Sequence, residues 1–593
     1  MMLRKIFVAP VMVAAAIAWL PAPPAPVAAQ SPDPCAGVTA ATPMARVPSP
    51  RDRLRKYGRF GNDTRDVRDV LQRSSVASEA RARGVSERSR PTADRDVDHV
   101  AILEDDSGDL ILRTNQFDLA NSGLRFEPAA GGYNISTTGA GFRSALGRGV
   151  TLEDDDSVEE TIAFPFQFYG RPFTSLFINS DGNLTFEEAD NASTARSLHR
   201  LASGAPRIGP FFADLDPSVG GGVFLDATPE AMTVTWCAVP GFDLAETVTV
   251  QTVLFPNGVI EFHYGATDLV DAIVAVSPGH VENVRAVDLN RAAAPVSGTD
   301  PVAVGELFTL TPSLDLVAAS RRFYASHPDD FDQLVFWTDA DVVNDAFAFQ
   351  VSVKNDIAGT GLDVHDFAGQ FGSGGALQSV INMDRISKYP DAPAQKIFGE
   401  SSTLGILAHE TGHRWLARLS FVDVNRRVSD QLLGRQRAHW SFFLDSDGSV
   451  MEGNEITDLG GGVFRTASSA EKYSRLDLYA MGLATANDVP GWFYVEAPIA
   501  GWDREDAPIA GITFHGTRRN VLIQDVIGAM GPRVPAAADS PRLHRQAFVF
   551  VRRTSAFFDP QDLARLGRIR EQFGEFFSRA TENRMTVRTT LTP

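Results

Sequence analysis

The stretch His409-Glu410-Thr411-Gly412-His413 sets two imidazoles four positions apart, with a carboxylate between them. On a helix four residues make slightly more than one turn, so both rings project from one face and can grip a single ion beside Glu410. Two imidazole nitrogens suit zinc, whose open coordination position lowers the pKa of a bound water toward neutrality. Glu410 can take that water's proton and pass it to a leaving amine, as general base and then general acid. These residues point to hydrolysis of a peptide bond.

A catalytic zinc usually has three protein ligands, and the third does not follow the motif closely, because Leu416 and Leu419 occupy the third and sixth positions after His413. His439 is the preferred candidate, and Ser449-Val450-Met451 downstream of it offers a methionine turn beneath the metal. Asp477, in the helix-forming stretch Tyr473 to Gly482, is the alternative, with Glu452 or water as the remainder. If His439 ligates, Asp477 can orient a ligand as an acceptor; if Asp477 ligates, His439 or Tyr479 can stabilise an oxyanion. Two acidic runs, Asp445-Ser446-Asp447-Gly448-Ser449 and Glu153-Asp154-Asp155-Asp156, offer carboxylates to Ca2+ beside the expected Zn2+, although a solvated turn is the plainer reading of each.

Several elements must position these groups. Ser401-Ser402-Thr403 can cap a helix over the proline-free stretch Leu404 to Leu419. Leu314 to Tyr324 has helical periodicity, and Gln333 to Trp337 and Ala346 to Val353 read as strands. Gly374 to Met383 is expected as an edge strand for an extended peptide, a plain internal strand being the other reading. Residues 503–593, with a lone His544 and the helical Pro560 to Arg579, complete an α+β domain over 314–593.

Upstream, short strand signals crowd between Glu160 and Tyr264, and Asn257-Gly258 is the dipeptide that best accepts the positive φ angles of a tight hairpin. A β-sandwich is expected within a β-rich domain over 96–290. Residues 31–95 are rich in Pro, Ser, Arg and Asp and read as a low-complexity linker or pro-segment. Residues 1–30 start with Arg4 and Lys5, continue with an apolar run to Leu20 and end near Ala28-Ala29, the pattern of an export signal. Prolines from Pro21 onward cut that run short of a membrane span, so no transmembrane anchor is expected.

A chain of 593 residues exceeds one hydrophobic core, so several domains are required. The net charge of -19 disfavours nucleic acid as a partner. With only Cys35 and Cys237, a disulfide scaffold and a CxxC metal site are both excluded, and a single bridge is allowed without being established.

Two resemblances follow. The segments Phe164-Pro165-Phe166-Gln167-Phe168-Tyr169-Gly170, Asn179-Ser180-Asp181-Gly182-Asn183-Leu184-Thr185-Phe186 and Pro210-Phe211-Phe212-Ala213-Asp214-Leu215-Asp216, with the Asn257-Gly258 hairpin, resemble the nidogen-like extracellular domain over roughly 120–275. That resemblance implies a binding or spacing module. From about Leu314 onward the chain is similar to zincin-type bacterial metallopeptidases, through His409 to Trp415 and the later Ser449-Val450-Met451 and Asp477 segments. Together they imply a secreted zinc endopeptidase acting on protein or peptide substrates, among them extracellular matrix or cell-surface proteins. The competing expectations are an adhesive, matrix-binding protein with a structural or inactive zinc site, and a zinc amidase acting on cell-wall peptides.

Overall fold

The computed structural model describes residues 34–35, 38, 64–83 and 93–592, apart from 140, 292–299, 345, 468–470, 500 and 557–558. The export signal expected at 1–30 lies outside the described residues, as does most of the segment 31–95.

The chain is mostly β, with two large units and a smaller four-stranded sheet of 456–460, 463–466, 513–521 and 492–499 over a separate core. The first is a mixed sheet of β1 (Thr64–Arg65), β2 (Arg95–Val97), β3 (Val100–Asp105), β4 (Gln333–Thr338), β5 (Phe349–Ser352), β6 (Ser379–Arg385) and β7 (Leu543–Arg553), with β8 (Thr586–Arg588) paired to β7. The order is β1-β5-β6-β4-β7-β3-β2, and the central strands β6, β4, β7 and β3 run parallel. Side chains alternate between two cores. Val335 and Trp337 of β4, with Phe548 and Phe550 of β7, face the helices α3 (Thr403–Gly412) and α5 (Pro560–Ala580). Leu334 and Phe336, with Ala547 and Val549, face α2 (Leu316–Tyr324). Burial on both faces is what near-continuous apolar runs in parallel strands encode, at about 1.5–3 kcal/mol for each large side chain.

The second unit is a β-sandwich of two seven-stranded sheets around one core. One sheet runs 284–286, 303–308, 272–277, 207–212, 183–185, 171–179 and 157–168; the other runs 132–139, 122–129, 260–264, 247–254, 232–240, 222–227 and 148–150. At the expected hairpin, Gly258 has φ +83° and its N–H donates to the Phe255 carbonyl at 2.9 Å. Cys237, on the strand Met232–Pro240, is disulfide-bonded to Cys35.

Several sequence expectations need correction. Val100 to Leu103 does not open the sandwich. It is β3, buried along its whole length in the mixed sheet between β7 and β2. The strand Ala303–Phe308 pairs antiparallel with Ala272–Ser277, so the sandwich extends past residue 290. The mixed-sheet unit is therefore discontinuous, with the sandwich inserted between β3 and β4, and does not begin at residue 314. Of the two readings of Gly374 to Met383, the internal strand holds: β6 is paired on one side with β5 and on the other with β4. Its Val380, Ile381 and Met383 are fully buried, as a central strand requires.

The described part of 31–95 is also structured. β1 pairs with β5, and α1 (Val67–Arg83) lies against both units. Val67 enters the α2-side core, the Asp69 carboxylate accepts the Leu198 N–H at 2.9 Å, and the Glu79 carboxylate accepts the Ala286 N–H at 3.2 Å. Val70, Leu71 and Val76 add apolar contacts to these polar ones, so a segment poor in aromatics still orders. Among the described residues no helix is long and apolar enough to cross a membrane.

Candidate metal centre

The helix α3 starts at Ser402, whose Oγ accepts the Gly405 N–H at 3.1 Å, and ends at Gly412, shorter than the stretch to Leu419 that the sequence suggested. Its apolar residues sit in the core between the sheet and α5, so the helix is buried all round, and His409, Glu410 and His413 are fully buried with it. Arg414 follows directly. It is buried, donates to Gln378 at 2.7 Å and Asn355 at 3.0 Å, and reaches Asp356 at 3.2 Å, which fastens the end of α3 to the β5–β6 connection. Burial pushes its guanidinium down to about 10, with Asp356 acting in the opposite direction.

His409, His413 and His439 converge, with one ligand atom from each lying within 4.8 Å of the others. The Nε2 atoms of His409 and His413 are 3.0 Å apart, and the His439 ring lies 5.3 Å from His409 and 4.9 Å from His413, centroid to centroid. Two of the three rings are oriented by backbone carbonyls. His409 Nδ1 donates to Val450 O at 2.8 Å, and His439 Nδ1 donates to Arg435 O at 2.7 Å. A proton on Nδ1 leaves a lone pair on Nε2, the arrangement that metal-bound histidines show. Arg435 gives a second reason for this tautomer at His439, because its Nη2, a permanent donor, stands 3.0 Å from that Nε2. Three buried imidazoles, two of them with a lone pair fixed inward, form a donor set that fits zinc.

Asp477 is brought close to this cluster but is not part of it. Its Oδ1 accepts from Trp440 Nε1 at 2.8 Å, and its Oδ2 accepts from Ser449 Oγ and the Ser474 N–H, each at 2.6 Å. Burial raises its carboxyl above the usual carboxylate range, against the pull of those hydrogen bonds. Ser449 precedes Val450, the acceptor for His409, and Trp440 follows His439. The carboxylate thus fixes the segment that carries His439 and the one whose Val450 carbonyl orients His409, as a buried hydrogen-bond hub in α4 (Arg475–Ala480). Glu452 is engaged by Arg435, with contacts of 3.1 and 3.3 Å. The Met451 sulfur packs against Gly412, the residue before His413.

In each acidic run at least one carboxylate has protein partners. Arg196 reaches Asp155 at 2.5 Å, Asp181 at 2.7 Å and Asp214 at 3.2 Å, and Asp445 Oδ1 accepts the Ile456 N–H at 3.0 Å. Among the described residues only the three histidines form a group with metal-ligand spacing. Sequence reasoning missed Arg435 and Arg414. Arg414 adjoins the motif and could have been flagged, whereas nothing local marks Arg435 as buried.

Residues 132–303 match the family model described as NIDO related. The match falls on the sandwich and leaves the histidine cluster outside it. No curated protein matches the chain, and no solved structure does.

Proposed function

We propose that the chain is an exported zinc metallopeptidase that hydrolyses peptide bonds in extracellular proteins. The observation that carries this reading is the convergence of His409, His413 and His439 within 4.8 Å, beside Glu410 on the same helical turn. The three imidazoles would hold the ion through Nε2. When bound, zinc supplies Lewis acidity toward water and a carbonyl group. Glu410 takes a proton from the attacking water and delivers it to the leaving amine nitrogen. The hydrogen bonds to Val450 O and Arg435 O keep two rings in register, and the surrounding core excludes bulk water. Export is supported by the charged and apolar start of the sequence, by the Cys35–Cys237 disulfide, which persists in oxidising compartments, and by the nidogen-related match, a domain of extracellular type.

That match also favours a second reading, an adhesive or matrix-binding protein in which the sandwich acts and the metal is structural. Zinc content of the purified chain and cleavage of unfolded casein, with and without chelator, separate the two. The Glu410→Ala variant is expected to keep its zinc and lose at least about a hundredfold in turnover. Unchanged cleavage by that variant, or a parent chain without zinc, rejects the peptidase; zinc without cleavage supports the adhesive reading.

A further inference from the structure

Arg435 is almost fully buried, yet its guanidinium is aimed at the same nitrogen that the metal would use. Its polar surroundings include His439 Nε2 at 3.0 Å, the two Glu452 carboxylate oxygens at 3.1 and 3.3 Å, and Gln436 Oε1 at 3.4 Å. A guanidinium does not lose its proton in a protein, so the contact with Nε2 can run only from arginine to imidazole. One lone pair cannot serve an N–H donor and a metal ion at once. Glu452 provides the charge that lets the cation stay buried whether or not that contact is made. The backbone on both sides is held in the sparsely populated left-handed region, with φ +55° at Gln436, +50° at Arg437 and +61° at Glu452. Two such residues next to Arg435, with Glu452 itself the third, show that the fold holds this pair in place despite backbone strain.

We propose that Arg435 is a catalytic residue whose guanidinium, anchored by Glu452, would give up its contact with His439 Nε2 in the metal-loaded chain and stabilise negative charge developing on the scissile carbonyl oxygen. This deepens the peptidase reading and rests on it. A preorganised cation in a water-poor site is the kind of group that lowers such a barrier, because it acts on charge present only in the transition state. A merely structural Arg435 would instead hold the His439 loop in place for the metal. The two roles predict opposite shifts in zinc affinity.

The experiment uses the full chain with Arg435→Met and Arg435→Lys. Zinc affinity is measured by competition with a chromogenic chelator, kcat and KM on a quenched peptide, and folding by circular dichroism. Removing the competing donor and its repulsive charge should make Arg435→Met bind zinc about tenfold more tightly, while kcat falls about a hundredfold or more and KM changes little. Arg435→Lys, which keeps the charge without the planar fork, should fall between. Weaker or unchanged zinc binding in a folded Arg435→Met, or an unchanged kcat, overturns the proposal while leaving the peptidase intact. If Arg435→Met does not fold, Arg435→Lys decides by the same two readouts. A parent chain that binds no zinc overturns both.

Discussion

The Met451 sulfur lies so close to Gly412 that a Cβ built on the glycine would stand 2.6 Å from Sδ and 3.1 Å from Cε1 of Tyr473. An exposed helix would gain about 1 kcal/mol from Gly→Ala, but overpacking a core costs about 1–3 kcal/mol. Gly412→Ala should therefore lower the melting temperature. It should also weaken zinc binding, because the turn that moves carries the Val450 carbonyl holding His409. A raised melting temperature, as at an ordinary helical glycine, would show that the contact imposes nothing.

Asp477→Asn keeps the shape of the hub but replaces one acceptor oxygen with a donor amide, facing either Trp440 or the Ser449 and Ser474 donors. Zinc affinity should fall by about tenfold to a hundredfold, as for other groups that orient ligands. His439→Ala should lose more, since on the proposed reading it removes a ligand. Chelator competition on both purified variants checks the order. Loss of zinc from Asp477→Asn with retention in His439→Ala would make the carboxylate the ligand.

His544 is buried against Trp415 and 3.8 Å from Asp332. Burial, helped by the Arg414 charge and opposed by Asp332, lowers its pKa from 6.5 to about 4. The unfolded chain takes up this proton first as the pH drops. The associated stability is complete above about 6.5 and is lost as the pH falls toward about 4, up to about 3 kcal/mol. His544→Phe should flatten that part of the acid limb. Urea midpoints at pH 7 and 4.5 measure it, and equal falls in both proteins would contradict the assignment.

Fragments test the insertion. Residues 113–310 contain both sheets of the sandwich and, with Cys237→Ser, should fold as a β-rich unit without zinc. A fragment of 120–275 ends inside the strand Ala272–Ser277 and loses Ala303–Phe308, so it should be less stable. Residues 314–593 alone lack β3 and should neither unfold cooperatively nor retain zinc. A zinc-binding, cooperatively folded 314–593 fragment would show that β3 is dispensable.

Local signals carried well from sequence to structure. The Ser402 cap, the spacing of His409 and His413 and the Asn257-Gly258 turn each depend on a few neighbouring residues; the first two form as expected, and the hairpin forms with Gly258 alone at positive φ. The placement of β3 was not legible, because an apolar run such as Val100 to Leu103 looks alike in either sheet. The hidden clue was its lack of polar alternation, which marks a strand covered on both faces. The α1 helix escaped notice because composition registers apolar burial and not contacts such as Asp69 to Leu198. The pairing of Arg435 with Glu452 brings together residues from two loops, which no local pattern predicts.

The split sheet also sets an order of events. Arg552 and Glu104 make their ion pair across a separation of 448 residues, so β3 and β7 cannot join until nearly the whole chain is present. The sandwich closes mainly through neighbouring hairpins and needs no such wait. Pulse-labelled hydrogen exchange during refolding should therefore find sandwich amides protected before those of β3 and β7. The floor against which α3 packs is then the last part to be built, so His409 and His413 reach their final setting only after the sandwich has closed.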